Sequence, residues 1–151
     1  MEYRYAAPFG TLLCCHNGVC YTEIVLSPTA ADFLPPLPPA LATVFDRYFA
    51  GELDVFHHPV SPNGTPFQQR VWTEIAAIPA GEVRSYQDIA RRIGSHPRPV
   101  GGACGKNPLP LLIPCHRVVS AHGLGGFSMG GNLEQGLAIK RWLLAHEGVP
   151  A

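Results

Sequence analysis

Residues 85–105 read "SYQDIARRIGSHPRPVGGACG", and this stretch predicts two short helices joined by a tight turn. Ser85 and Asp88 have the spacing of a capping box, which satisfies free N–H groups at the start of a helix. Gly94 suits the left-handed conformation that ends such a helix. "SHP" then predicts a turn, and a second helix is expected to begin around Pro97. This order of elements is the outline of a helix-turn-helix.

The second of these helices is unusually rich in glycine. Gly101, Gly102 and Gly105 each cost about 1 kcal/mol relative to alanine in a helix interior. Pro99 is acceptable because N–H groups in the first turn have no helical partner. Two interpretations stay open: the small residues let the backbone enter a narrow groove, or they allow close packing against another helix.

A further helix start lies upstream of this pair. Thr65 and Gln68 form another capping box, with Pro66 at the first helical position. The segment "HHPVSPNG" just before it has the composition of a linker. We therefore expect two domains, residues 1–63 and residues 64–151.

The N-terminal region predicts a small α/β unit. The runs "YRYAA", "TLLCC" and "YTEIVLS" are typical of strands. Asn17-Gly18 is typical of a two-residue hairpin turn, in a register that would place Cys15 opposite Cys20. Apolar residues at helical spacing predict a helix that follows the proline-rich connector and starts at Pro39.

The net charge of the 151-residue chain is zero, but its charges are unevenly distributed. Residues 81–120 contain six Lys or Arg against two Asp or Glu, which suggests an anionic partner such as nucleic acid, although on charge alone an ordinary solvated face is the favoured interpretation. No apolar run approaches the ~20 residues of a membrane helix, and the N-terminus lacks the apolar region of a secretory signal. The five cysteines are an odd number, typical of free thiols. We expect an intracellular protein with no membrane partner.

The segment "LLIPCHRVV", Leu111–Val119, places a nucleophile and a base in an apolar environment. Burial raises the pKa of a thiol, so Cys115 needs a proton acceptor to react. On an extended strand His116 would point to the opposite face, so we expect a bridging water between the two side chains. Glu147 is a candidate to orient the histidine. The alternative is an inert buried cysteine beside a core histidine.

The motifs "NPLPLLIPCHRVV", "GEVRSYQDIA", "RPVGGACGKNP", "GLGGFS" and "KRWLLAHEG" resemble those of the O6-alkylguanine-DNA alkyltransferases, also called methylated-DNA–protein-cysteine methyltransferases. The resemblance implies a ribonuclease H-like α/β N-terminal domain and a mostly helical C-terminal domain with a winged-helix-like helix-turn-helix. It implies a protein that flips O6-alkylguanine out of duplex DNA, with O4-alkylthymine as a secondary candidate. A monomer is the default expectation for a protein that must slide along a duplex. The alkyl group would then move irreversibly to the protein's own cysteine without a cofactor.

The resemblance also assigns roles to individual residues. It makes Cys115 the alkyl acceptor, His116 the water-linked base and Glu147 the group that orients it. Asn107 would be the hinge before the active segment, and Arg98 would fill the gap left by the flipped base. The remaining contacts implied for DNA are Tyr86, which also acts on the flipped nucleotide, and Gly101, Gly102, Ala103 and Gly105. By their charge, Arg84 and Lys106 are candidates to neutralise phosphates, with a solvated surface charge as the alternative. The implied pocket residues are Pro114, Gly126, Phe127 and Ser128.

This chain departs from the family pattern in four places: the turn between Gly94 and Arg98 is short, Pro99 stands for alanine, Phe127 stands for tyrosine, and residues 129–136 contain an insertion. Their effect on activity is an open question at this point. The main alternative function is that of an alkyltransferase-like protein, which binds the lesion without repairing it. A cysteine hydrolase and a base-reading regulator are further alternatives.

A structural zinc ion is a less favoured possibility in the N-terminal domain. Its candidate ligands are Cys15, Cys20 and His57, but their spacing lacks the CxxC pattern typical of zinc sites. Thiols of the protein core are the favoured interpretation of these cysteines. We therefore expect no cofactor.

Overall fold

The computed structural model describes residues 1–57, 60–121, 123–127 and 133–149. The chain begins with an antiparallel sheet in the order β1-β2-β3, formed by Glu2–Ala7, Gly10–His16 and Tyr21–Leu26. Helix α1, Pro39–Phe49, follows the proline-rich connector and buries Phe45 and Tyr48. The predicted strands and the predicted helix are confirmed.

The hairpin between β2 and β3 differs from the prediction. His16 pairs with Tyr21 and Cys15 pairs with Glu23, with an irregularity between Cys15 and His16, so Cys15 does not face Cys20. The turn contains four residues instead of two because the side-chain oxygen of Asn17 accepts hydrogen bonds from two backbone N–H groups, at 2.9 and 2.8 Å.

The helices of the C-terminal part begin where the capping residues predict. Helix α2 is Pro66–Ala76, and the capping box of Thr65 and Gln68 is present. The two-residue strand β4, Arg84–Ser85, leads into α3, Tyr86–Ile93, which has its own capping box and ends at a left-handed Gly94. Helix α4 is Pro97–Gly105, so the two-helix prediction is confirmed.

The segment around Cys115 is not the extended strand that the sequence predicts. A 3-10 helix occupies Cys115–Arg117, and only Val118–Val119 forms a strand, β5, parallel to β4. Pro114 has no N–H group for a sheet, and Leu111 adopts a positive φ of 77°. The backbone therefore turns, with the N–H of Cys115 donating to the oxygen of Ile113 at 2.7 Å.

Helix α5, Leu133–His146, closes the structure. One hydrophobic core includes side chains from both halves of the chain, such as Leu12 and Phe45 from the first and Val100 and Leu143 from the second. The backbone N–H of Ile24 in β3 also donates to the oxygen of Pro108, at 2.8 Å. The N-terminal sheet is thus tied directly to the segment that leads to Cys115. Within the described ranges, no helix is both long and apolar enough to cross a membrane.

Candidate active site

Cys115 lies at the start of the 3-10 helix and is only 5% exposed. The side-chain amide of Asn107 donates to its sulfur at 3.2 Å and to the backbone oxygen of Ile113 at 2.8 Å. The amide oxygen of Asn107 in turn accepts from the N–H of Leu109 at 2.9 Å. These bonds fix Asn107 between helix α4 and the segment that carries the thiol, so its donor points at the sulfur.

Burial raises the pKa of the Cys115 thiol to about 11, although the hydrogen bond from Asn107 and the positive charge of Lys140 oppose this rise. The thiol is therefore protonated near neutral pH. Forming the thiolate at pH 7 costs roughly 5 kcal/mol, at about 1.36 kcal/mol per pH unit. A reaction at this sulfur needs a base that removes the proton.

His116 is the neighbouring base and is only 1% exposed. Its Nε2 lies 2.9 Å from Oε2 of Glu147. Because an ionised carboxylate only accepts hydrogen bonds, this contact places the proton of neutral His116 on Nε2 and leaves a lone pair on Nδ1. Nδ1 is buried and has no hydrogen-bond partner among the residues that the structure describes. The geometry thus presents an unprotonated nitrogen beside the thiol-bearing residue.

Burial lowers the pKa of His116, and this effect outweighs the opposite influence of Glu147. The histidine is therefore neutral near physiological pH. Burial alone would raise the pKa of Glu147, but hydrogen bonds from His116, Arg117 and Tyr48 outweigh it and hold that pKa well below its ordinary value. The pair consists of a neutral imidazole and a carboxylate, the state in which His116 can accept a proton.

Arg117 forms the rest of this buried ionic cluster. Its Nε donates to Oε1 of Glu147 at 2.8 Å and its Nη2 donates to Oε2 at 2.9 Å, a two-point contact that fixes the plane of the carboxylate. Its Nη1 donates to the backbone oxygen of Ile78 at 2.7 Å. Three consecutive residues of the 3-10 helix therefore supply the thiol, the base and the partner of the carboxylate.

Lys140 is a site residue that the sequence prediction missed. It is 0% exposed, and its ammonium donates to the backbone oxygens of Val118 at 2.6 Å and Gly126 at 3.0 Å. Burial lowers its pKa to about 8, against the attraction of the Cys115 and Cys104 sulfurs. A signal was present in the sequence, because Lys140 shares the helical spacing of the buried residues Ile139 and Leu143.

Tyr86 and the segment 125–127 lie on the same side of the site. The Tyr86 hydroxyl donates to the backbone oxygen of Gly126 at 3.4 Å, and a Cβ on Gly125 would come within 2.7 Å of that hydroxyl. Burial raises the pKa of Tyr86 to about 12, so its hydroxyl remains a donor at neutral pH. Phe127 is buried with its ring edge-on to His116 at 6.3 Å. Ser128 and residues 129–132, the first half of the insertion at 129–136, lie outside the described residues.

The glycines of helix α4 do not serve close helix packing. A Cβ added to Gly101, Gly102 or Gly105 would meet no atom within 4 Å among the described residues. Arg98 and Lys106 are exposed at the two ends of this face, and the side chain of neither forms a hydrogen bond or ion pair with any residue described. The face is therefore smooth, open and bordered by two unpaired cations.

The expectation that Ala103 shares this face is wrong. Ala103 is 3% exposed, and its backbone oxygen accepts from Nε1 of Trp72 at 2.9 Å. It lies one helical turn after the buried Val100 and so faces the core. Arg84 differs from Arg98 in being paired, since its Nη2 lies 3.0 Å from Glu82.

Two further predictions concern Pro114 and the zinc candidates. Pro114 is buried and lines a cavity of about 510 Å³ together with Ile78 and Arg117, but Cys115 is not part of that lining. His57 pairs with Asp54 at 3.1 Å on the surface. Across the described part of the chain, no group of three or more His, Cys, Asp or Glu side chains is arranged to hold a metal ion.

The site combines features needed for nucleophilic substitution by sulfur. It has a buried thiol, an amide donor and a cation that favour the thiolate, and a neutral imidazole held by a carboxylate. Next to it are a phenolic donor and a smooth helix face with unpaired positive charges. Such a site can accept a group from an electrophile and protonate the leaving group.

Comparison with known proteins identifies relatives along most of the chain. A family described as 6-O-methylguanine DNA methyltransferase, DNA binding domain, matches residues 66–149. A methylated-DNA–protein-cysteine methyltransferase of Metallosphaera sedula is 46% identical over 104 residues, a match that spans 68% of this chain and 63% of the relative. The corresponding protein of Haemophilus influenzae is 37% identical over 158 residues, spanning 97% of this chain and 85% of that protein.

The fold is also similar to that of a solved structure. The crystal structure of Mycobacterium tuberculosis OGT in complex with DNA aligns with a TM-score of 0.81 and 36% identity. The alignment covers 99% of this chain and 95% of that protein. The mixed α/β architecture with small sheets is therefore shared over the whole chain.

Proposed function

The chain belongs to the 6-O-methylguanine DNA methyltransferase family, and we propose that it repairs duplex DNA by moving the alkyl group of O6-alkylguanine onto its own Cys115. The observation that carries this proposal is the placement of a buried thiol, held by Asn107, next to a neutral His116 whose Nε2 is occupied by Glu147. An inert core cysteine would not require these two polar contacts.

The first chemical step is removal of the thiol proton. Nδ1 of His116 accepts this proton through one bridging water. Both N–H groups of the resulting imidazolium then donate hydrogen bonds, and Glu147 stabilises the new positive charge. Asn107 and Lys140 stabilise the thiolate, which is why both lower the pKa of Cys115 against the effect of burial. The base is present only while His116 is neutral.

The second step is displacement at the alkyl carbon. The thiolate forms a carbon–sulfur bond as the carbon–O6 bond breaks, and the electron pair of that bond moves into the guanine ring. The hydroxyl of Tyr86 donates a hydrogen bond to the ring as this charge develops, and the proton that the ring finally takes up is the one removed from Cys115, returned from the His116 imidazolium through water. The product is unmodified guanine and a thioether on Cys115. A thioether has no good leaving group, so each chain acts once.

DNA binding is assigned to the open face of helix α4. An alkylated base inside a duplex cannot be reached by a side chain, so the nucleotide must leave the stack. A helix face without side chains at Gly101, Gly102 and Gly105 can approach the floor of a minor groove only ~6 Å wide. Arg98 then fills the space of the flipped base, while Lys106 and Arg84 contact phosphates.

The finer architecture is part of the same proposal. We assign residues 1–63 to a ribonuclease H-like domain and residues 64–151 to a DNA-binding and alkyl-transfer domain of winged-helix type. The three-stranded antiparallel sheet with α1 and the α3–α4 pair support this division. We further propose an intracellular monomer that needs no cofactor and accepts O4-alkylthymine as a second substrate.

A label-transfer experiment tests the proposed function. The protein is incubated with a duplex that contains O6-methylguanine labelled on the methyl group. Label should accumulate on the protein and reach a plateau near one methyl group per chain. Cys115→Ala should bind the duplex without accepting label, and the control Cys104→Ala should still accept it.

Other outcomes would identify the alternatives. Tight binding of the lesion without any transfer by the wild-type chain would indicate a lesion-binding protein. Continuous turnover of an ester or amide substrate without DNA would indicate a cysteine hydrolase. Either result would overturn the repair function proposed above.

A further inference from the structure

Tyr48 connects the N-terminal unit to the catalytic carboxylate. It lies in α1, is 0% exposed, and its hydroxyl donates to Oε2 of Glu147 at 2.6 Å, across 99 residues of sequence. Its backbone oxygen accepts from Nε2 of His146 at 2.7 Å, at the end of α5. Two hydrogen bonds therefore join Tyr48 to consecutive residues beside the active site.

The atom that Tyr48 contacts is the one that holds the catalytic base. Oε2 of Glu147 accepts from Tyr48 at 2.6 Å, from His116 at 2.9 Å and from Nη2 of Arg117 at 2.9 Å, whereas Oε1 accepts from Nε of Arg117 at 2.8 Å. A carboxylate oxygen has two lone pairs, so three donors compete for Oε2. The bond from Tyr48 is the shortest and has the length of a charge-assisted O–H···O⁻ bond.

This competition reduces the negative charge available to His116. The phenol is buried beside a carboxylate, so it stays protonated and acts only as a donor. By sharing the charge of Oε2, it weakens the attraction that Glu147 exerts on a proton of the imidazole. A weaker attraction keeps His116 neutral over a wider pH range, and the neutral form is the one that can accept the thiol proton.

Several other groups act on the same histidine and carboxylate. Arg117, from the 3-10 helix, acts on both of them, and Lys140, from α5, acts on His116. Cys115 precedes His116 in the 3-10 helix, and His146 precedes Glu147 and bonds the backbone of Tyr48. The positive charges of Arg117 and Lys140 oppose protonation of His116 and remain in place when Tyr48 is changed. Tyr48 is the uncharged contributor from the N-terminal unit, so its effect can be removed without changing the net charge.

We propose that Tyr48 is a positioning residue that sets the proton affinity of His116 through Oε2 of Glu147, a role that rests on the proposed alkyl transfer to Cys115. The N-terminal unit thereby contributes a hydrogen bond to the catalytic network. In Tyr48→Phe the carboxylate would carry more charge at Oε2, so His116 would bind its proton more tightly. The pH at which transfer begins would then rise.

The test is the pH dependence of single-turnover methyl transfer by the full chain. In Tyr48→Phe we expect the acid limb of the rate profile to move to higher pH by roughly half a unit or more, with no loss of rate on the alkaline side. Tyr5→Phe is a matched control, because Tyr5 donates to Asp46 in the same helix over the same 2.6 Å. Its profile should coincide with that of the wild type.

Either of two pH profiles would overturn the proposal. A Tyr48→Phe profile that is lower at every pH with an unchanged midpoint would show a structural role only, and would overturn the proposal. If Tyr48→Phe does not fold, replacement of Tyr48 by 3-fluorotyrosine keeps the hydroxyl and makes it a stronger donor. The acid limb should then move to lower pH, and an unmoved limb would overturn the proposal.

A second readout separates this inference from the proposed function. If the wild-type chain transfers no methyl group, the repair function fails, but the ring nitrogens of His116 can still be titrated by ¹⁵N NMR. The His116 pKa should be higher in Tyr48→Phe than in wild type and unchanged in Tyr5→Phe. Equal values in Tyr48→Phe and wild type would overturn the role of Tyr48 independently of repair.

Discussion

Removal of the Asn107 side chain tests how the thiol is activated. Asn107→Ala deletes the donor that lies 3.2 Å from the Cys115 sulfur. A hydrogen bond to a charged acceptor contributes about 1.5–3 kcal/mol, and sulfur is a weak acceptor, so we take the lower end. This corresponds to roughly one pH unit, so the pKa of Cys115 should rise from about 11 to about 12. The thiolate fraction and the rate of methyl transfer should both fall by about tenfold.

The same substitution should also destabilise the fold. The N–H of the buried Leu109 and the oxygen of Ile113 both lose their side-chain partner. The oxygen of Ile113 still accepts from the N–H of Cys115, whereas the N–H of Leu109 loses the Asn107 oxygen. A buried group left without a partner costs about 1–3 kcal/mol, which urea unfolding would measure. The loss of stability and the loss of reactivity therefore need separate readouts.

Site-resolved alkylation provides the second readout. The rate of iodoacetamide modification at Cys115 is followed by peptide mass spectrometry from neutral to mildly alkaline pH. Asn17→Ala is the matched control, because the Asn17 side chain also supports a backbone turn, the one between β2 and β3. It should lower stability but leave the alkylation rate of Cys115 unchanged. An alkylation rate in Asn107→Ala equal to that of the wild type would refute the activation role.

The charges and surfaces of the site lead to four further predictions. In Glu147→Gln, the buried Arg117 loses its charged partner, so the free energy of unfolding measured by urea denaturation should drop by about 3–5 kcal/mol. A drop below about 1 kcal/mol would contradict a stabilising buried ion pair. In the wild type, the depressed pKa of Glu147 stabilises the fold. This contribution is fully present above pH 4.5, the ordinary pKa of a glutamate, and is lost as the pH falls below that value. A Tm that stays constant on acidification would be inconsistent with this. Arg98→Ala should slow repair of duplex DNA by an order of magnitude or more while barely affecting reaction with a free O6-alkylguanine base. Equal slowing of both reactions would show that Arg98 does not replace the flipped base in the duplex. Gly102→Leu should fold normally, because a Cβ there meets no described atom, yet bind duplex DNA more weakly in fluorescence anisotropy, and unchanged binding would exclude this face from the interface.

The helices of the C-terminal half are predictable because their signals are local. The side chains of Thr65 and Ser85 cap the backbone a few residues ahead, and Gly94 ends α3 in the left-handed region that favours glycine. Such contacts depend little on the rest of the fold. The hairpin register was wrong for a related reason: the side chain of Asn17 binds two N–H groups and enlarges the turn, which the Asn-Gly pattern does not reveal.

The remaining parts of the site depend on contacts between distant residues. Sequence patterns mark Tyr48 as apolar and periodic, but do not show that its hydroxyl reaches Glu147, 99 residues away. The extended strand expected at Cys115 was wrong because Pro114 and the positive φ of Leu111 turn the backbone. Lys140 was overlooked because a lysine in a terminal helix is usually solvated, although its position on the buried face of α5 marks it as an exception.

The central claim is that the sulfur of Cys115 takes the alkyl group irreversibly. Its most direct test is peptide mass spectrometry of the folded, reduced chain after incubation with an O6-methylguanine duplex. The account predicts that the peptide with Cys115 gains the mass of one methylene unit, in step with the appearance of unmodified guanine in the DNA. Loss of the DNA methyl group while Cys115 keeps its original mass, or a duplex that stays methylated, would contradict it.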